Sequence, residues 1–177
     1  MFTNKFATRL NSFKSNWQSE LKPSIKDLIK RASTVVNLTH VDLNYPDHSM
    51  PSLTDVAKFT ADCGLEINGL AMRYYTNPAF KFGAFTNPNK QVRQEAIDLT
   101  KKAIDGLREI NCNLLTIWLG QDGFDYGFQV DYKKMWDDEI NALREITEHD
   151  KDCLISIEYK PNEPRAVSYT HLRAHET

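Results

Sequence analysis

Cysteine is scarce in this 177-residue sequence, and long apolar runs are missing from it. The three cysteines, Cys63, Cys112 and Cys153, are scattered and form no CxxC pair, which is typical of small core residues in a reducing compartment. No stretch approaches the roughly 20 apolar residues of a membrane span, and the polar residues 1–19 lack a signal-peptide core. We therefore expect a cytoplasmic protein without a membrane segment.

An excess of one charge is also absent, as are the glycine-rich phosphate loops. Lys and Arg total 22 against 24 for Asp and Glu, a net charge of −2. Proteins that bind nucleic acid or anionic membranes are normally basic, so we expect neither partner. No GxGxxG or GxxxxGK(S/T) follows a predicted strand, which removes the usual signature of a nucleotide-binding sheet.

Strand-like and helix-like segments alternate along the chain. Apolar and β-branched runs predict five strands, at 6–13, 34–43, 65–72, 113–118 and 153–158. Apolar residues at helical spacing predict helices after Pro23, after Ser52, across 92–110 and around Trp136, with an inward face of Trp136, Ile140, Leu143 and Ile146. Apolar strands that alternate with helices predict a parallel α/β sheet with right-handed crossovers.

The ends of the predicted strands decide between two parallel architectures. Polar residues crowd the carboxyl end of strand after strand, which favours a (β/α)8 TIM barrel over an open doubly wound sheet. A whole barrel takes ~250 residues, so we expect residues 1–167 to be the N-terminal part of one, cut after about strand five. Residues 168–177 (SYTHLRAHET) show no apolar periodicity and resemble translated sequencing-adapter read-through. We interpret them as a non-native tail.

The segment after the fifth predicted strand carries the strongest chemical pattern. Glu158 ends the strand, where a side chain of a barrel faces the ligand-binding mouth. Lys160 lies two residues further, on the same side of an extended chain, and Pro161 and Pro164 stiffen the segment. A carboxylate that anchors a divalent ion beside an ammonium that protonates an oxygen suits a metal-assisted reaction at a carbonyl. A surface salt bridge is the open alternative.

Three segments in the same order resemble those of one known family. Residues 158–164 (EYKPNEP) resemble the EPKPNEP signature, residues 118–123 (WLGQDG) the WGGREG turn, and residues 76–86 (TNPAFKFGAFT) the THPVFKDGGFT loop. All three belong to the xylose isomerases and their relatives among the sugar isomerase/epimerase TIM barrels. The resemblance covers about residues 75–165 and is weaker before residue 65.

The resemblance implies a role for several residues. Glu158 falls on a metal-ligand glutamate, and Lys160 on a lysine that contacts a substrate oxygen and assists hydrogen transfer. Trp118 falls on an indole that forms an apolar wall against the sugar, and Phe80 on an aromatic side chain that lines the pocket. Relatives pack across subunits near Phe80, so a homo-oligomer is implied as well. The cofactor implied is a divalent metal, Mn²⁺, Mg²⁺ or Co²⁺, completed by ligands from strands six to eight.

The sequence also departs from the family pattern. Asn77 stands where the THP segment has histidine, and Asn44 where the second strand ends in a histidine that helps open the sugar ring. A neutral amide binds a hydroxyl but is not an acid or base near pH 7. His48, in the next loop, either replaces the lost histidine or is merely exposed. We assign Asn44, Asn77 and His48 to substrate binding. The two asparagines in place of histidines argue against aldose ring opening.

Two further pairs of residues have structural explanations beside functional ones. Asp122 and Asp125 either bind metal or form a turn, and the turn is the preferred interpretation. Tyr74 and Tyr75 either stack on a sugar ring or pack their hydroxyls within the loop.

Together these features predict a divalent-metal-dependent sugar isomerase or epimerase that acts on an open-chain sugar or sugar derivative. One alternative is a metal-assisted lyase, such as a C-glycoside-cleaving subunit, on the same barrel. The other is a non-catalytic, incomplete barrel.

Overall fold

Five parallel strands alternate with α-helices in the computed structural model of the chain, which describes residues 5–15, 22–49, 51–120, 122–124 and 128–158. Lys160, Asp125 and the tail 168–177 lie outside these residues. In chain order the elements are β1 (Ala7–Arg9), α1 (Ile25–Ser33), β2 (His40–Tyr45), α2 (Leu53–Asp62), β3 (Glu66–Met72), α3 (Lys90–Glu109), β4 (Leu114–Ile117), α4 (Tyr132–His149) and β5 (Leu154–Ile157).

The helix starts follow from the side chains in front of them. Ser24 and Asp27 form a capping box, in which each side chain accepts a hydrogen bond from the other residue's backbone N–H, at 3.3 and 2.9 Å. Ser52 accepts from the Asp55 N–H at 3.1 Å and caps α2. Both helices therefore begin where the sequence predicts. None of the helices in the described part of the chain has both the length and the hydropathy for crossing a membrane.

Two predicted strands are shorter than expected. The second begins at His40 rather than at residue 34, because the N–H groups of Thr34 and Val35 bond to the last carbonyls of α1 and finish the helix. The first covers only Ala7–Arg9, and residues 10–14 form a 3₁₀ turn. In both places the end of a helix or a tight turn overrides β-propensity.

The inward face of α4 is also different from the predicted one. Its buried side chains are those of Met135, Glu139, Ala142 and Ile146, whereas Ile140 is 40% exposed. The predicted stripe is correct only at Ile146 and partly at the half-buried Trp136 and Leu143. The hidden carboxyl of Glu139 breaks the apolar pattern, so hydropathy alone misplaces the face.

The two faces of the sheet differ in chemistry. The face toward the helices carries a core of fully buried side chains from the three central strands, namely Val41, Leu43, Leu70, Met72, Leu115 and Ile117. Because side chains alternate along a strand, the residues between them lie on the other face. That face carries the matched row Asn44, Ala71, Thr116 and Ser156, one residue from each of β2 to β5.

The strand order identifies the architecture. Neighbours run β1-β2-β3-β4-β5 without a reversal, whereas a doubly wound sheet reverses at a switch point. Buried residues of α1 to α4 join a single hydrophobic cluster with the helix-facing residues of the sheet. This is the arrangement of consecutive units of a TIM barrel, with helices outside and the polar face inside.

Candidate active site

Each strand presents one inward side chain at or just after its carboxyl end. Arg9 ends β1 in register with Asp42, and Asn44 lies near the end of β2. Arg73, Trp118 and Glu158 follow β3, β4 and β5, each two residues beyond the matched row Ala71, Thr116 and Ser156. Since the residue period of a strand is two, these side chains share the polar face.

Glu158 reaches across that face to the opposite edge of the sheet. Its Oε2 accepts a hydrogen bond from Arg9 Nη2 in an ion pair. The two strands would lie four spacings of about 4.8 Å, roughly 19 Å, apart in a flat sheet. The ion pair therefore requires a sheet that curves around its polar face. The side chains of Arg9 and Glu158 are only 34% and 32% exposed, so the pair lies inside the concave face.

The described residues supply too few ligands to hold a metal ion together with Glu158. They contain no group of three or more His, Cys, Asp or Glu side chains that could hold an ion. One carboxylate does not supply the several oxygen ligands that Mg²⁺ or a similar cation takes, and this carboxylate is already paired with Arg9. The described residues therefore do not form a metal site on their own.

Aromatic rings line the same face beside Glu158. Tyr75 meets the Trp118 indole edge-on, with ring centroids 5.2 Å apart, and the Arg73 guanidinium lies 4.3 Å from the centre of the Tyr75 ring. Such contacts hold the side chains in one arrangement. The half-buried Trp118 thus offers a braced apolar surface to the concave face.

Asn44 and His48 form a buried pair at the end of β2. They are 1% and 4% exposed, so the expectation of an exposed His48 is wrong. The backbone N–H of Asn44 donates to His48 Nδ1 at 3.1 Å, which leaves the ring proton of the neutral imidazole on Nε2. Burial, with help from Lys14 and Arg73, lowers the pKa of His48 to about 4. His48 is therefore a neutral hydrogen-bond donor at pH 7.

Several buried polar atoms at this end of the sheet have no hydrogen-bond partner among the described residues. Five such atoms come from residues that follow or end β1, β2 and β3: Asn11 Oδ1, Asn44 Oδ1 and Nδ2, His48 Nε2 and Arg73 Nε. Buried polar atoms in proteins are nearly always hydrogen-bonded, and a ligand is one explanation when several are unpaired together. The sequence motifs do not mark Asn11, Arg9 or Arg73 as site residues. The period-two rule that paired Lys160 with Glu158 would have found Arg73 beyond Ala71.

The other predicted residues lie in the long loop after β3. Asn77 is exposed, and its side-chain oxygen accepts from the Ala79 N–H at 3.0 Å. Phe80 is 2% exposed and meets Tyr74 edge-on, with 6.0 Å between ring centroids. The Tyr74 hydroxyl shares a 2.6 Å hydrogen bond with Thr100 Oγ1, so Tyr74 is a packed core residue. The substrate contacts of Asn77 and Phe80 stay predictions.

Asp122 holds this long loop in place. Its fully buried carboxylate accepts from the N–H of Ala84 at 2.7 Å, the N–H of Thr86 at 2.9 Å and the Thr86 hydroxyl at 2.8 Å. Burial raises the pKa of Asp122, while these hydrogen bonds oppose the rise. The residue therefore fixes a neighbouring loop rather than shaping its own turn.

The sequence of the chain is similar to that of a known enzyme. No protein-family model matches the chain. Xylose isomerase from Thermus thermophilus is 30% identical over 112 residues, which cover 61% of this chain and 29% of that protein.

Two solved structures illustrate the range of similar folds. A D-tagatose 3-epimerase-like protein superimposes with a TM-score of 0.68 at 16% identity, over 90% of this chain and 54% of its own. Mannonate dehydratase from Streptococcus suis serotype2 superimposes with a TM-score of 0.58 at 11% identity, over 88% and 53%. The chain spans about half the length of these structures, in agreement with five of eight units. The family resemblance and the TIM-barrel prediction are confirmed.

Proposed function

Since this chain is related to xylose isomerase and has the fold of the xylose isomerase-like sugar epimerases and isomerases, we propose that it is part of an enzyme that isomerises or epimerises an open-chain sugar or sugar derivative. The observation that carries the proposal is the group of five unpartnered polar atoms at the carboxyl ends of β1 to β3. A polyol both donates and accepts hydrogen bonds along its length, so it matches a group that holds donors and acceptors together.

In this proposal, different described residues bind the hydroxyl groups and the carbon chain of the substrate. Asn44 accepts and donates to a hydroxyl, and His48 donates through Nε2. Trp118 and Tyr75 give the carbon chain an apolar wall, and such a wall excludes water and strengthens nearby electrostatic interactions. These contacts orient neighbouring carbons of the substrate toward the end of β5.

The chemical step is assigned to the end of β5. We propose that Glu158 faces the reacting carbons and that Lys160, two residues beyond, steadies the substrate oxygen while hydrogen moves between neighbouring carbons. A divalent cation polarises such oxygens in metal-dependent enzymes of this kind of chemistry. The described residues do not form a metal site on their own.

Substitution of Glu158 tests this assignment in the whole enzyme of which this chain is proposed to be part. The assay follows aldose–ketose conversion and C3 epimerisation by NMR with Mn²⁺ or Mg²⁺ added. We expect Glu158→Gln to lower kcat by about 100-fold or more, as loss of an acid–base or charge-stabilising group does. Glu148→Gln, on the exposed side of α4, is the matched control and should leave kcat unchanged. Full activity of Glu158→Gln would falsify the role of this carboxylate.

Elimination is the second candidate reaction, and two observations favour it. Asn44 occupies the expected place of a ring-opening histidine and cannot exchange protons, and one similar fold is that of a mannonate dehydratase. The same NMR assay separates the reactions, because elimination gives a dehydrated or cleaved product and isomerisation conserves the formula. A dehydrated product from a sugar acid, or cleavage of an oxidised glycoside, would replace isomerisation as the function.

A further inference from the structure

Arg73 carries a positive charge that the described residues leave unpaired. It follows β3, and its backbone N–H donates to the Tyr45 carbonyl at 2.9 Å, which fixes the start of its side chain. Its guanidinium lies over the Tyr75 ring, and its buried Nε has no hydrogen-bond partner in the described part of the chain. Within the described ranges, no carboxylate forms a salt bridge with Arg73. A sheltered arginine is normally paired with an acid.

Arg9, which also lies on the concave face, differs from Arg73 because it has a carboxylate partner. Arg9 has Glu158 as its partner, and the carboxylate of Asp42 accepts from the Asn68 amide at 2.7 Å. Near His48 the charges are those of Lys14, Arg73 and Asp47. Asp47 is exposed and accepts from the Thr76 hydroxyl at 3.1 Å. The end of the sheet near β2 and β3 therefore has an excess of positive charge.

The unpartnered atoms define what kind of molecule fits. Asn11 and Asn44 offer acceptors that suit hydroxyls, whereas Arg73 offers a charged donor on a planar fork. Guanidinium groups bind carboxylate and phosphate oxygens with two parallel hydrogen bonds. Building on the proposed sugar-binding function, we propose that the substrate is a polyhydroxy compound that carries an acid group, a carboxylate or a phosphate, and that Arg73 binds this group.

A matched ligand series tests the inference on the 177-residue chain without added metal. D-glucitol, D-gluconate and D-glucitol 6-phosphate share an open six-carbon chain and differ in the acid group. Isothermal titration at low ionic strength measures their affinities, since salt weakens exposed charge interactions. We expect at least one acid to bind about tenfold or more tightly than D-glucitol, as hydrogen bonds to charged groups exceed neutral ones. The acid that binds tighter identifies carboxylate or phosphate.

Variants assign the preference to Arg73. Arg73→Gln should reduce the ratio of acid to neutral affinity to about one, and Arg73→Lys should keep part of it. Lys58→Gln removes one positive charge from the exposed side of α2 and should keep the wild-type ratio. Near-UV circular dichroism checks the fold of each variant, and the ratio is internal to each protein. A wild-type ratio near one, an unchanged ratio in Arg73→Gln or no binding of any ligand overturns the proposal.

The outcome is distinguishable from failure of the proposed reaction. If the whole enzyme of which this chain is proposed to be part converts neutral sugars as fast as sugar acids or phosphates, the isomerase proposal stands and the acid preference falls. If the chain binds an acidic polyol through Arg73 but the whole enzyme neither moves the carbonyl group nor inverts a carbon of the corresponding aldose or ketose acids and phosphates, the opposite holds.

Discussion

The Trp118 indole occupies space that a side chain at position 120 would need, so its position depends on Gly120. A methyl group on Gly120 would lie 2.5 Å from the indole Cζ2 and 2.7 Å from Cη2, closer than real carbon contacts permit. The ring is rigid and is in edge-on contact with Tyr75. At the scale of single residues, the apolar wall of the candidate site therefore depends on Gly120, a residue of the WLGQDG segment to which the family resemblance assigns no role of its own.

Gly120→Ala should displace the indole. We expect a changed near-UV circular dichroism signal, weaker polyol binding and a loss of about 1–3 kcal/mol in the free energy of unfolding, the usual cost of overpacking. Gly106→Ala is the matched control, because its new methyl would meet only the flexible end of Leu53, at 3.0 Å. Equal effects of the two substitutions would argue against a specific role of Gly120.

Two buried carboxyl groups lie between β4 and β5 along the chain. Asp122 binds the backbone of residues 84–86 from the segment after β4. Glu139, on the buried face of α4, has its pKa raised to about 7 by burial first and by the charge of Asp122 second. At the scale of elements, the buried face of α4 therefore carries a carboxyl group whose pKa is raised by burial, with the charge of Asp122 as the second cause.

This raised pKa predicts a pH-dependent stability. The unfolded value is 4.5 and the folded value about 7, so the folded state binds the proton more tightly. The stabilisation is complete below about pH 4.5 and is lost as the pH rises through about 7, with a magnitude on the order of 3 kcal/mol. Glu139→Gln should make the free energy of unfolding differ less between pH 5 and pH 8, measured by urea denaturation. Glu148→Gln, on the exposed face, should keep the wild-type difference, and the same difference in Glu139→Gln would refute the assignment.

At the scale of the whole molecule, the sheet of the described residues has two edges. β1 and β5 lie at the ends of the strand order, and β5 exposes Leu154 at 62% and Ile157 at 45%. Edge strands with exposed apolar side chains pair readily with other chains. The described part of the sheet therefore has an ordered polar face and two edge strands, β1 and β5.

Self-association is the expected behaviour of the 177-residue chain. Sedimentation velocity over a concentration series should show species larger than a monomer, and Ile157→Lys should shift the distribution toward the monomer. Val36→Lys is the control, because Val36 is 84% exposed but lies in the turn after α1. A stable wild-type monomer at all concentrations would contradict this expectation.

The parts of the structure that the sequence predicts well are those set by local patterns. Capping residues place the starts of α1 and α2, and alternation of apolar strands with helices indicates the parallel sheet. The predictions are wrong where neighbours in space override local preference. Val35 is β-branched but completes a helix end, and the buried face of α4 includes Glu139, which hydropathy assigns to solvent.

The sequence alone determined the order of elements, the barrel type and the candidacy of Glu158 and Trp118, because these follow from periodicity and short motifs. The tertiary structure decided which polar side chains meet. Arg9 and Glu158 are 149 residues apart in sequence and pair only because the sheet curves. His48 is buried beside Asn44, and Arg73 has no acid partner in the described part of the chain. Both findings depend on which side chains the carboxyl ends of β1 to β3 bring together. Contacts between distant segments depend on the shape of the whole sheet, which local patterns do not encode.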